Sequence, residues 1–115
     1  MLRIVKDSEI SLGNLRAANH SRQIEWDNSR QITPEYSAIE FAGEVGELLN
    51  VVKKIFREKL HLRGTRATHQ DLENEMADVL ITLDLLAMRM NVDLTAALRR
   101  KFNDTSDKLG LRVML

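Results

Sequence analysis

Six apolar residues in the second half of the chain recur at a regular spacing of four and three residues. They are Leu72, Met76, Val79, Leu83, Leu86 and Met90. Because a helix turns by about 100° per residue, this spacing places all six along one side of a helix, whereas a strand would need a period of two. The segment predicts a long amphipathic helix with more apolar surface than one neighbouring helix covers. The composition agrees, since one proline and five glycines in 115 residues are typical of a helical bundle.

Capping signals place the ends of the other predicted helices. Thr33, Thr68 and Asp93 can each accept a hydrogen bond from a first-turn amide, and Pro34 suits the first helical position. Gly110 is a natural C-terminal stop. The predicted helices run from about Ser11 to Asp27 (with Leu12, Leu15 and Ala18 on one face), from Pro34 to about Lys59, from the Thr68 cap to Met90, and from the Asp93 cap to about Leu109. The sequence predicts one all-α domain, residues 1–115, of four to five helices.

Several classes of protein are disfavoured by composition. The absence of cysteine excludes a disulfide framework and thiolate metal sites. The 17 basic and 17 acidic residues cancel, so no specific nucleic-acid partner is expected. No apolar run approaches the roughly 18 residues of a membrane span, and the first residues lack the apolar run of a signal peptide. We therefore expect a cytoplasmic protein with no membrane partner.

Along two of the predicted helices, an acidic residue directly precedes each of three apolar residues. The acidic residues are Glu40, Glu44 and Glu47 in the second helix and Asp71, Glu75 and Asp78 in the third. Such like charges repel by a few tenths of a kcal/mol per pair, and no lysine or arginine is interleaved to offset the repulsion. Gly43 and Gly46 lie between the acids although glycine costs about 1 kcal/mol in a helix, so we expect a close approach to that backbone. Two such helices packed together would bring acids from both into one cleft.

Two interpretations of these acids are open. They are either the solvated edges of two amphipathic helices or a cation site. If they bind a metal, six carboxylates offer only hard oxygen ligands, which suit Mg²⁺, with Mn²⁺ as the alternative. Zinc would favour His or Cys. A di-iron bundle needs Glu-x-x-His pairs, whereas the corresponding pairs here are Glu44 with Glu47 and Glu75 with Asp78.

Two short segments carry a family resemblance. GEVGEL at 43–48 and EMADVL at 75–80 resemble the E-x-x-E and E-x-x-D halves of the MazG-like all-α nucleoside triphosphate pyrophosphohydrolase superfamily, and the similarity extends over roughly residues 15–110. The resemblance implies hydrolysis of a nucleoside triphosphate to the monophosphate and pyrophosphate, as house-cleaning of deoxy or noncanonical nucleotides. It implies a MazG-like bundle completed by homodimerisation, in some members as a dimer of dimers. The implied catalytic residues and Mg²⁺ ligands are Glu44, Glu47, Glu75 and Asp78, with Glu40 as a further acid that orients the water.

The resemblance also suggests contacts to the substrate. Trp26 and Arg22 correspond to a segment in which an aromatic ring can stack on the base, although core packing is an alternative for Trp26. Thr105, Leu109 and Gly110 stand where the family has Asn, Tyr and Pro. The candidate phosphate-binding residues are Lys54, Arg57, Lys101, Asn103 and Lys108. Helix-end solubility is the alternative for the basic residues of the second helix, and the alternative function is a non-enzymatic helical dimerisation or regulatory module with an acidic face.

Overall fold

The computed structural model describes residues 6–28 and 30–115, and this part of the chain forms helices without any strand. A 3-10 turn at Asp7–Glu9 precedes four α-helices. They are α1 (Leu12–Trp26), α2 (Pro34–Lys59), α3 (His69–Arg89) and α4 (Leu94–Leu109). The all-α prediction is confirmed for the described residues. None of these helices is long and apolar enough to cross a membrane.

The helices begin where the capping signals predicted. Thr33 Oγ1 accepts from the Tyr36 amide, and Asp93 Oδ1 accepts from the Ala96 amide. At the start of α3, Thr68 and Asp71 form a reciprocal capping box, in which each side chain accepts from the other's backbone N–H at 3.0 and 2.8 Å. This cap lowers the pKa of Asp71, because the Thr68 amide stabilises its charged form. Asp71 therefore has a structural role in the fold.

Helix α3 is the centre of the structure. It packs against α2 along much of its length and against α1, while α4 contacts α1. In the described part of the chain, Val51 and Ala87 are the only buried apolar residues. The predicted apolar face of α1 is wrong at Ala18, which is exposed, because α1 instead turns the polar side chains of Asn19 and Gln23 inward.

An ion pair between a partly exposed arginine and a buried aspartate joins α1 to α3. Asp84 is fully buried, and its Oδ1 accepts from Arg16 Nε at 3.0 Å. Its other oxygen, Oδ2, accepts from Asn19 Nδ2 at 3.0 Å. Arg16 also donates to the carbonyl oxygen of Val92 at 2.8 Å. Because a buried carboxylate is costly unless it is paired and hydrogen-bonded, these contacts fix how α1 lies on α3.

The single chain leaves an unusually large surface in contact with solvent. Its accessible surface is 9157 Å², whereas a compact protein of 13.2 kDa would expose about 6,400 Å². Its radius of gyration is 17.4 Å, against about 13 Å for a compact domain of this length. Many large apolar side chains are exposed, among them Ile39, Leu49 and Phe56 on α2. One copy of the chain does not cover its own apolar residues.

The two glycines of α2 contribute to this open surface. Apart from the backbone of its own helix and its two chain neighbours, a β-carbon added at Gly43 or Gly46 would have no atom of the described residues within 4 Å. The close approach that we expect at these glycines is therefore not made by the described residues of the same chain.

Candidate metal centre and adjoining cavity

Three of the predicted acids converge between α2 and α3. One carboxylate oxygen from each of Glu44, Glu75 and Asp78 lies within 4.8 Å of the other two. Glu75 and Asp78 are three residues apart and so share one side of α3, while Glu44 reaches them from α2. The packing of α2 on α3 thus brings Glu44 to two acids that lie 31 and 34 positions later in the sequence. We name these three residues the acidic triad.

No basic side chain of residues 6–28 and 30–115 forms an ion pair with the acidic triad. Oε2 of Glu44 and Oε2 of Glu75 are buried and have no hydrogen-bond partner among the described residues. Desolvation raises the pKa of Glu44, and the carboxylates of Glu47, Asp78 and Glu75 raise it further. Desolvation also raises the pKa of Glu75, with the repulsion of Glu47, Asp78 and Asp71 added to it. A bound cation would relieve both effects, so the donor set fits a metal ion.

The remaining acids occupy different positions around the triad. Glu47 lies close enough to raise the pKa of Glu44 and Glu75, but it is exposed and is not one of the three convergent ligands. Glu40 lies one helical turn before Glu44 and lines the same cavity as Glu44 and Asp78. Glu40 and Glu47 therefore flank the triad along α2, one on each side.

A cavity of about 320 Å³ adjoins the triad and is bordered by α1, α2 and α3. Glu44 and Asp78 form part of its wall, and Arg22 and Trp26 line it from α1. Trp26 is 64% exposed, so core packing does not account for its position. The two residues predicted to bind a base lie in one cavity with two of the predicted metal ligands.

The predicted phosphate-binding residues are dispersed. Lys54 lies close enough to Asp71 to lower its pKa, near the start of α3. Arg57 donates to the carbonyl oxygen of Thr65 at 2.9 Å and so holds the α2–α3 connection. Gly64, with φ of 127°, leaves room for this guanidinium, with which a side chain at that position would clash.

Helix α4 carries the other three predicted phosphate-binding residues, Lys101, Asn103 and Lys108. The Asn103 side chain is paired with the backbone of Leu115, accepting from its N–H at 2.8 Å and donating to its carbonyl at 3.3 Å. None of the three is among the described residues that line the cavity beside the triad. Within one chain, the structure does not bring them to the acids.

Sequence reasoning missed the polar residues that α1 presents to α3. Arg16, Asn19 and Gln23 are spaced by three and four residues and so share one side of α1. Asp84 is the one acid in the largely apolar segment from Val79 to Met88. An isolated acid in such a segment is the sequence signal that could have indicated a buried polar partner for these α1 residues. Asn19 and Gln23 also line the cavity beside the triad.

Neither a protein-family model nor a curated protein matches this chain. The observations that bear on its function are therefore the geometry of the acidic triad and its cavity, and the two sequence segments at 43–48 and 75–80.

Proposed function

We propose that this protein is a Mg²⁺-dependent nucleoside triphosphate pyrophosphohydrolase of the MazG-like superfamily, which converts a (d)NTP and water to the (d)NMP and pyrophosphate. The observation that carries the proposal is the convergence of Glu44, Glu75 and Asp78 beside a cavity lined by Trp26. Carboxylates for a metal and an aromatic ring for a base then lie within one site. Removal of deoxy or noncanonical nucleotides is the proposed role.

Glu44, Glu75 and Asp78 would hold the metal, with Glu47 as an additional ligand from α2. The buried oxygens of Glu44 and Glu75 support this assignment, because no hydrogen-bond donor among the described residues contacts them. Bound Mg²⁺ would neutralise the triphosphate, acidify the attacking water and stabilise the charge that develops in the transition state. Oxygen-only ligands favour Mg²⁺ or Mn²⁺ over zinc.

The chain's own residues would position and deprotonate the water. The water oxygen forms a bond to the α-phosphorus, the bond from that phosphorus to the α–β bridging oxygen breaks, and pyrophosphate leaves. Glu40 lines the cavity beside Glu44 and would accept the proton of the water as a general base. Trp26 would stack on the base, and Lys54, on the side of α2 near Asp71, would contact the leaving phosphates.

The proposed activity is tested with purified protein, Mg²⁺ and a panel of canonical, deoxy and noncanonical nucleoside triphosphates, with pyrophosphate release as the measurement. We expect release from at least one nucleotide and none when EDTA replaces Mg²⁺. Glu44→Gln and Asp78→Asn are each expected to remove the activity, because each removes a charged ligand. No turnover of any nucleotide, or turnover unchanged in both variants, contradicts the proposal and favours the non-enzymatic helical module.

A homodimer is part of the proposal. Ile39 and Leu49 each lie two residues from a buried residue of α2, Ser37 and Val51, and so about 160° around the helix from the side that packs on α3. We name this surface the outer face of α2 (Ile39, Ala42, Gly46, Leu49 and Phe56). A helix with apolar residues on both sides needs a second partner, and the excess of accessible surface is of the size that an obligate dimer buries. The open glycines would let a second copy approach closely.

The homodimer is tested by light scattering. We expect the wild type to have twice the mass of the chain, or four times in a dimer of dimers. Leu49→Glu places a charge in the outer face of α2 and is expected to give a monomer, or to prevent stable folding, because the desolvation of a carboxylate opposes association. Leu111→Glu, at an exposed leucine beyond α4, is the matched control and is expected to keep the wild-type mass. A monomeric wild type contradicts the dimer.

A further inference from the structure

Two helices of the chain end in nearly the same five-residue sequence. Lys-Leu-His-Leu-Arg occupies residues 59–63 at the end of α2, and Lys-Leu-Gly-Leu-Arg occupies residues 108–112 at the end of α4. We name these segments the α2 tip and the α4 tip. The central residue of each has a left-handed backbone, with φ of 57° at His61 and 67° at Gly110. Both helices therefore stop at the same point of the sequence.

Backbone hydrogen bonds give the α2 tip a defined conformation. The His61 N–H donates to the Glu58 carbonyl at 3.1 Å. The Leu62 N–H donates to the Arg57 carbonyl at 2.9 Å, and the two bonds together form a Schellman motif. The Arg57 side chain also donates to the carbonyl oxygen of Thr65, just beyond the tip. Because the tip is already ordered, a contact made by it costs little conformational entropy.

The leucines of both tips face solvent. Leu60 and Leu62 are 65% and 55% exposed, and Leu109 and Leu111 are 66% and 56% exposed. A leucine two positions past a helix end commonly packs on the last turn of its own helix. Here that packing leaves more than half of each residue uncovered. Since the two tips are alike in this respect, the leucines alone do not distinguish a binding surface from a helix end.

The charge around the two tips is different. Residues 53–66, around the α2 tip, contain six basic residues and one acid, a net charge of +5 in a chain whose total is zero. The basic residues are Lys53, Lys54, Arg57, Lys59, Arg63 and Arg66, and the acid is Glu58. The matching segment around the α4 tip, residues 102–115, contains two of each and is neutral. A helix end carries only about half a negative charge, so it does not account for an excess of five.

Four of these basic side chains are available to a ligand. Lys53, Lys59, Arg63 and Arg66 are exposed, and none of them forms an ion pair with another described residue. The tip is also separate from the acidic triad, because it begins fifteen residues after Glu44 on α2, a rise of about 22 Å. These charges therefore surround the two exposed leucines and not the proposed metal.

Exposed leucines among exposed basic residues fit the surface of an anionic lipid bilayer. The leucines can enter the boundary between headgroups and acyl chains, while the cationic groups remain at the level of the lipid phosphates. Anionic lipids attract such clusters of Lys and Arg. A nucleic-acid backbone would bind the same charges but would leave the leucines in water. The combination of the two residue types favours the bilayer.

We propose that the α2 tip binds the surface of an anionic lipid bilayer, with Leu60 and Leu62 entering below the headgroups and the surrounding basic residues contacting the lipid phosphates. This inference does not rest on the proposed pyrophosphohydrolase activity. It revises the sequence-based expectation of no membrane partner, which considered only spanning and secretory segments. A tip that lies on a bilayer requires neither.

Vesicle binding by the full-length protein tests the inference. Vesicles of phosphatidylcholine alone are compared with vesicles in which one lipid in three is phosphatidylserine, and cosedimentation measures the bound fraction. We expect binding to be about ten-fold or more tighter to the phosphatidylserine vesicles, because each basic residue near an anionic surface strengthens binding about five-fold. High salt is expected to remove this difference, since salt screens exposed charges.

Arg63→Gln/Arg66→Gln tests the charges of the α2 tip. The variant removes two cationic groups and is expected to bind the phosphatidylserine vesicles about ten-fold or more weakly. Both arginines are exposed and outside any helix, so the fold is preserved. Arg99→Gln/Arg100→Gln, at two exposed arginines of α4, is the matched control and is expected to bind as the wild type does.

Leu60→Gln/Leu62→Gln tests the apolar contact. We expect it to bind the same vesicles about ten-fold or more weakly, because burial of leucine side chains favours association. Leu109→Gln/Leu111→Gln makes the identical change at the α4 tip and is expected to bind as the wild type does, because the neutral surroundings of that tip are not attracted to anionic lipid. Light scattering of both variants is expected to give the wild-type mass.

Four results would overturn the inference. The first two are no stronger binding to phosphatidylserine vesicles than to phosphatidylcholine alone, and unchanged binding by either variant of the α2 tip. A reduced mass of Leu60→Gln/Leu62→Gln would instead assign the leucines to an interface between copies. Binding of a single-stranded oligonucleotide without vesicle binding would assign the charges to nucleic acid. Pyrophosphate release is not a readout here, so failure of the proposed function leaves this inference intact.

Discussion

Glu75→Gln is expected to abolish pyrophosphate release and, in the metal-free protein, to raise the melting temperature. For turnover we expect a loss of at least about 100-fold in kcat, the size of effect seen when one electrostatic stabiliser of a transition state is removed. The gain in stability has a different cause. Desolvation and three neighbouring carboxylates raise the pKa of Glu75 in the folded protein, so its ionised form is less favourable there than in the unfolded chain.

The direction of the pH dependence follows from that raised pKa. Above the folded pKa the charged carboxylate opposes folding, and as the pH falls through this pKa the carboxyl takes up a proton more readily in the folded state. The metal-free wild type is therefore expected to gain stability from Glu75 as the pH is lowered from neutral. Glu75→Gln has no such group, so the difference between the two melting temperatures is expected to shrink toward low pH.

Thermal unfolding with EDTA and with Mg²⁺ measures both effects. Mg²⁺ is expected to raise the melting temperature of the wild type, because a ligand that binds only the folded state stabilises it, and to raise that of Glu75→Gln less. Glu73→Gln is the matched control, since Glu73 is exposed on α3 and its one ion-pair partner among the described residues is His69, at 3.4 Å. Equal metal-free melting temperatures of wild type and Glu75→Gln at neutral pH would show that the triad is not electrostatically strained.

Arg16→Met is expected to lower the free energy of unfolding by about 3–5 kcal/mol, because it leaves the fully buried carboxylate of Asp84 without its cation. A loss of this size is a large fraction of the total stability of a small domain. Urea unfolding at one fixed protein concentration is the measurement, since the apparent stability of a dimer depends on concentration. Arg100→Met, at an exposed arginine of α4, is expected to change the free energy by less than about 0.5 kcal/mol.

The double variant Arg16→Met/Asp84→Leu separates the cost of an unpaired charge from the cost of lost packing. Removing both charges is expected to recover part of the loss, because an apolar pair can replace a buried ion pair at little cost. No recovery in the double variant would mean that packing, not charge, sets the effect of Arg16→Met. A loss as small as that of Arg100→Met would mean that the ion pair does not fix α1 on α3.

The helix ends were predictable from the sequence because caps are local. Thr33 with Pro34, Thr68 with Asp71, and Gly110 with a φ of 67° each depend on residues within a single turn, and the observed ends lie at or next to the predicted ones. The acids were predictable for the same reason, since their spacing within α2 and within α3 is local. The triad contains Glu44 and not Glu47. This choice depends on how α2 is rotated about its axis relative to α3, and the local sequence pattern does not predict that rotation.

The polar side of α1 was not predictable by pattern. Asn19 looks like an exposed helical residue until Asp84, 65 positions later, is placed against it. The hydrophobic period that identifies a core helix is weak in α1, because its inward side carries amides and a guanidinium instead of leucines. The phosphate contacts proposed for α4 remain a prediction, since within a single chain Asn103 is occupied by Leu115 and a second copy would supply further residues.

Helix α3 carries two of the three triad acids and also the aspartate that holds Asn19 in the cavity wall. Asp78 belongs to the triad and Asp84 orients Asn19, and the two are six residues apart on α3, a rise of about 9 Å. The distance between Asp78 and the aspartate that holds Asn19 is therefore set by the backbone of one helix and not by a loop. In the proposed enzyme, this spacing would hold Asp78 and the Asn19 side of the cavity at a constant separation along α3.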